Sequence, residues 1–196
     1  MEQLTASVEN LSLHKKGMEK YACIMRQVRA TNVSSDEDFQ RTFAGFYKVR
    51  RNAAWRKAYF DLFEANKHDR DVSFASILRS MFGSTGRIEA SFSSKMLATL
   101  RPEMPIWDSI VLAALHVKPC RDSDKQKRLE RTIELYDSIV CRYDRFASLP
   151  ESDALVRAFD AAFPEYVGFS KTKKIDFLIW GGGADPFAET EDHSRA

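Results

Sequence analysis

Asp108 and Lys95 are the two residues of this 196-residue chain whose types and surroundings suit covalent or charge-stabilising chemistry. Both lie in Met81–Leu115, MFGSTGRIEASFSSKMLATLRPEMPIWDSIVLAAL. Asp108 follows the turn made by Pro102 and Pro105 and precedes an apolar helix expected over Ile110–Leu115. An aspartate there is a good N-cap, and its charge suits the positive end of the helix dipole. Lys95 falls in a helix expected to start near Ala90, with Phe92, Met96, Leu97 and Leu100 on its apolar side. The two prolines end that helix. Upstream, Gly83 and Gly86 bracket Ser84 and Thr85, with Arg87 next. A glycine hairpin ahead of a helix N-terminus offers backbone N–H groups and a dipole to phosphate.

That combination suits excision of a base from DNA. An enzyme that flips a nucleotide out of the stack must grip the flanking phosphates. Breaking the glycosidic bond builds positive charge on the sugar, which a fixed carboxylate stabilises, or the carboxylate activates the attacking water. Asp108 is the candidate for that carboxylate, and Trp107 beside it is a candidate wall of a base pocket. Lys95 is the candidate amine for attack on the sugar carbon. A second constellation lies at Lys48–Lys57, where Arg50, Arg51, Arg56 and Lys57 are candidates for phosphate binding at a helix junction.

The central segment resembles the helix-hairpin-helix (HhH-GPD) superfamily of DNA glycosylases. Ile106, Trp107, Asp108, Ser109, Ile110 and Val111 align with its Val-Asp-Thr-His-Val-like motif, so the resemblance makes Asp108 the essential aspartate. Lys95 in Ser94-Lys95-Met96-Leu97-Ala98 resembles the lysine-bearing helix of the bifunctional members. Gly83-Ser84-Thr85-Gly86 stands where the family has a Leu-Pro-Gly-Val-Gly hairpin, and Ile110 where it has histidine. The resemblance spans roughly thirty residues. It implies a monomeric enzyme acting on damaged bases in DNA repair, or on modified phage DNA in antiviral defence, with no cofactor and no metal. The separation of Lys95 from Asp108 is shorter than the family's, so the expected enzyme is monofunctional and leaves an abasic site. The competing reading is a non-catalytic helical module that binds nucleic acid or protein. In it Asp108 is only a cap, Lys95 a helix-surface residue, Gly83 a helix C-cap, and Lys48–Lys57 a solvated face.

The elements that must position these residues are helical nearly throughout. Leu4–Arg29 reads as one helix or two divided at Gly17. Ser35 with Asp38 marks a helix start, and Phe39, Phe43, Phe46 and Tyr47 follow at helical spacing. Asn52 opens Ala53–Ala65, with Trp55, Tyr59, Phe60 and Phe63 on one face. Asp71–Phe82, Asp124–Ala147, Glu151–Phe163 and Ser170–Trp180 complete the set, and Lys171, Lys173 and Lys174 read as a small basic patch. No strand alternation occurs. The expected fold is all-α, one domain over 1–183 with one lobe or two around a cleft, then a disordered polar tail over 184–196.

Composition bounds the rest. Hydrophobic residues make up 44% of the chain and phenylalanine contributes 14, which fits a folded globular protein. A net charge of +2 permits DNA binding without requiring it. Cys23, Cys120 and Cys141 show no metal-type spacing, and their odd number fits a reducing cytoplasm better than a disulfide framework. No apolar run is long enough to cross a bilayer, and there is no basic-then-apolar leader pattern.

Overall fold

Side chains at the helix starts explain most of where the elements begin. A computed structural model of the chain describes Leu11 and residues 15–181. The expectations for Leu4–His14, apart from Leu11, and for the tail over 184–196 lie outside the described residues. Among the described residues the elements are α1 (Lys15–Gln27), α2 (Glu37–Tyr47), α3 (Ala53–Asn66), α4 (Phe74–Thr85), α5 (Ala90–Leu100), α6 (Ser109–Ala114), α7 (Lys125–Ala147), α8 (Pro150–Ala162), a 3-10 turn at Pro164–Tyr166 and α9 (Lys171–Trp180). No strand occurs among them, and the class is all-α. Asn52, Ser73, Asp108, Asp124 and Ser170 each accept a backbone N–H from the first turn of the following helix. The expected Ser35 cap is corrected. Asp36 accepts the Phe39 N–H and a hydrogen bond from the Thr31 hydroxyl. A carboxylate with two donors outcompetes the serine one position earlier. Gly17 lies inside α1 and does not interrupt it.

The described residues divide into two compact units, residues 16–101 and residues 102–181 with Leu11 and Lys15. The core of the first is aromatic. Phe43 packs edge-on against Phe60 and Phe63, with ring centroids 5.8 and 5.5 Å apart, and Phe39 lies 5.9 Å from Phe43. Such offsets suit ring quadrupoles. In α5 every residue except Ser91 and Lys95 is buried, so this helix is the inner element of the unit. Arg29 donates to the carbonyls of Lys67 and Leu100. Lys67, itself buried, donates to the Thr31 carbonyl at 2.7 Å and pairs with Glu64. Arg29 thereby closes the ends of α3 and α5, whose last carbonyls lack intrahelical partners.

In the second unit α9 is the inner element, buried continuously from Lys173 to Ile179. It packs against α6, α7 and α8. Its first residues tie down the approach to Asp108: Ser170 Oγ donates to the Pro102 carbonyl at 2.5 Å and Thr172 Oγ1 to that of Glu103 at 2.9 Å. Tyr136 of α7 donates to the Pro105 carbonyl at 2.8 Å, and Arg142 to that of Leu115 at 2.6 Å. The proline turn and α6 are thereby tied to α7 and to the start of α9 by hydrogen bonds that also satisfy backbone carbonyls.

Candidate functional site

Asp108 is fixed by three donors. Its extended backbone (φ −142°, ψ 174°) aims one carboxylate oxygen at the start of α6, where Oδ1 accepts from the N–H groups of Ile110 at 3.0 Å and Val111 at 2.9 Å. Oδ2 accepts from the indole N–H of Trp180 at 2.9 Å. A carboxylate offers about four lone-pair directions, so one direction, on Oδ2, is uncommitted. Asp108 and Trp180 are partly exposed, and the Ile110 side chain beside them is 48% exposed. Trp107, the expected pocket wall, is buried at 6% exposure.

Behind Trp180 lies a polar network that sequence reasoning missed. Lys173 and Asp176 are both wholly buried and form an ion pair at 2.9 Å. The other oxygen of Asp176 accepts the Tyr143 hydroxyl at 2.9 Å. The Lys173 ammonium also lies 5.2 Å from the centre of the Trp180 ring, within cation–π range. Burial pushes the Asp176 carboxyl above its ordinary range, against the pull of Lys173 and Tyr143, and the charge of Asp108 pushes the same way as burial. Burial raises the Tyr143 hydroxyl well above 10.0, with the charges of Asp176 and Asp108 adding to it. The expected Lys171, Lys173 and Lys174 surface patch is corrected. Lys173 and Lys174 are buried, and Lys171 and Lys174 are committed to Asp153 and Asp160 at 2.7 and 2.6 Å. A signal was present in the sequence. Lys173, Asp176 and Trp180 stand at i, i+3 and i+7, so two ionisable residues share the stripe of an apolar helix with the tryptophan.

The remaining candidates lie in the unit of residues 16–101. Gly83 and Ser84 are not a hairpin but the last turn of α4, and the Ser84 hydroxyl donates to the Ser80 carbonyl. Gly86 is the left-handed C-cap at φ +65°, with its N–H on the Phe82 carbonyl. A helix C-terminus carries the negative end of the dipole, which disfavours phosphate there. Arg51 and Arg87 come together on Glu89. Arg51 reaches both oxygens at 3.3 and 3.0 Å, Arg87 reaches one at 3.0 Å, and Glu89 is 6% exposed. The Arg51 guanidinium also covers the Phe92 ring at 5.0 Å. Lys57 pairs with Asp61 at 2.6 Å, Arg50 is exposed and Arg56 partly exposed. Lys95 donates to the Ser91 hydroxyl at 3.0 Å, and its ammonium lies 5.2 and 5.7 Å from the Phe92 and Tyr47 ring centres.

No protein-family model matches this chain, and no curated protein or solved structure does. Among the described residues no group of His, Cys, Asp and Glu is arranged to hold a metal ion, the three cysteines are free thiols, and no helix is long and apolar enough to cross a membrane.

Proposed function

We propose that the protein is a monofunctional DNA glycosylase in which Asp108 stabilises the positive charge that develops on the deoxyribose as a damaged or modified base departs. The observation that carries this reading is the triple anchoring of one partly exposed carboxylate by Ile110, Val111 and Trp180. A charge held by fixed dipoles needs no reorganisation when the transition state forms. Oδ2 is the atom that would face the sugar, through its uncommitted lone pair. Arg50 and Arg56 would contribute phosphate contacts, because Arg51, Arg87 and Lys57 already have carboxylate partners. Lys95 is engaged by Ser91 and two ring faces, which supports hydrolysis over attack by an amine.

A second reading is favoured by the same bonds: with three donors satisfied, Asp108 joins α6 to α9 as a structural clamp in a non-catalytic module. Base release separates the two. The full chain is incubated in excess over DNAs carrying damaged or phage-type modified bases, and free base is quantified. The glycosylase reading expects release from at least one DNA and a loss of at least about a hundredfold in Asp108→Asn. Borohydride present during turnover should trap no protein–DNA adduct. Absence of release from the whole panel supports the clamp reading.

A further inference from the structure

Resting on the reading of Asp108 as the reacting carboxylate, we propose that Trp180 is its positioning residue, itself held by the buried Lys173–Asp176–Tyr143 network. The backbone of α6 fixes only Oδ1. Rotation of the carboxylate about that anchor would swing Oδ2, and the 2.9 Å bond from the Trp180 indole is what prevents it. Trp180 needs support of its own, because it is partly exposed and ends α9. Its support includes a ring face over the Lys173 ammonium at 5.2 Å and an edge contact with Phe177 at 5.5 Å. Lys173 is in turn immobilised by Asp176, and Asp176 by Tyr143.

Two physical points single out this network from ordinary packing. Burying a lysine and an aspartate at zero exposure adds little stability, since apolar residues of similar volume commonly do as well or better. A cation over the face of an indole also draws electron density toward itself, which leaves the ring N–H a stronger donor to Asp108. The ion pair thus sits where desolvation is most severe, one side chain away from the candidate carboxylate. Neither Lys173 nor Asp176 needs to touch DNA for this.

The test uses the full-length protein with two readouts. In nitrogen-15 spectra the Trp180 indole resonance is identified as the one missing from Trp180→Phe, which keeps an aromatic ring and removes the donor. That resonance should move upfield in Asp108→Asn, and by a smaller amount in the paired variant Lys173→Met, Asp176→Leu, which removes both charges together. In single-turnover base release, Trp180→Phe should slow the chemical step about ten- to a hundredfold while leaving the affinity for DNA unchanged. An indole resonance that stays in place in Asp108→Asn overturns the clamp. A wild-type rate in Trp180→Phe overturns the positioning role while leaving the glycosylase reading intact. A wild-type protein that releases no base overturns the glycosylase reading and the catalytic use of the clamp, and the spectra still decide whether the clamp exists. Should the paired variant fail to fold, Tyr143→Phe replaces it, with the same direction of shift expected from the loosened Asp176.

Discussion

Replacing Asp108 by Asn tests the geometry of the site through stability alone. Asparagine keeps one oxygen but exchanges the other for an NH2 donor. With the amide oxygen on the cap, the NH2 group faces the Trp180 indole N–H across a contact of 2.9 Å, and two donors oppose each other. The cap itself is nearly unaffected, because Asn and Asp cap about equally well. A hydrogen bond to a charged partner contributes about 1.5 to 3 kcal/mol, and the partial exposure of both groups places this one near the lower end. The expected loss is therefore about 1.5 to 2 kcal/mol, or a fall in Tm of about 3 to 8 °C for a chain of this size. Once Trp180 is Phe, the same Asp108→Asn change meets no opposing donor and costs only a few tenths of a kcal/mol. Urea unfolding of the wild type, both single variants and the double variant, followed by far-UV circular dichroism, should give a coupling of about 1.5 kcal/mol. Additivity within about 0.5 kcal/mol would refute the reasoning, since contacting residues that share a hydrogen bond must couple.

Gly83 and Gly86, three residues apart, should respond to alanine with opposite signs. Gly83→Ala, exposed inside α4 with no atom within 4 Å of the added Cβ, should stabilise by about 0.5 to 1 kcal/mol, whereas Gly86→Ala at φ +65° should destabilise by about 1 kcal/mol; thermal melts of the two distinguish them. Asp36 is held below its ordinary carboxyl range by the Phe39 N–H and the Thr31 hydroxyl. A depressed folded value adds stability above the unfolded pKa, and that stability is lost as pH falls through the folded one, so Asp36→Asn should flatten the wild type's decline in urea midpoint below about pH 4. Glu89→Ala leaves Arg51 and Arg87 without their shared carboxylate and should cost about 1 to 3 kcal/mol in urea unfolding, less than a fully buried pair because both arginines reach solvent. If Arg50 and Arg56 bind phosphates, Arg50→Gln with Arg56→Gln should flatten the dependence of log affinity on log salt by about 0.9 for each phosphate no longer neutralised, and an unchanged slope would place them off the DNA path.

The sequence by itself determined the all-α class and most helix boundaries, because the rules that set them act within about four residues. Asn52, Asp108, Asp124 and Ser170 announce their helices through a side chain that reaches only two or three positions ahead. Where local rules compete, the sequence does not decide between them: Ser35 yields the cap to Asp36, whose extra donor is Thr31, and Gly83 continues α4 for want of anything to stop it before Gly86. Asp108 can be picked out as a fixed carboxylate for the same local reason. Its third donor cannot, since Trp180 lies 72 residues away and only the packing of α9 against α6 brings the indole to it. Burial is equally undecidable from composition. Lys173 and Lys174 look like a solvated basic run, yet α9 is the inner helix of its unit and turns both inward, where Asp176 and Asp160 neutralise them. The charge of Arg51 and Arg87 is likewise taken up by Glu89, 38 residues from the first and two from the second. Charge pairing depends on which helix faces lie together, and that is a property of the packed chain rather than of any segment in it.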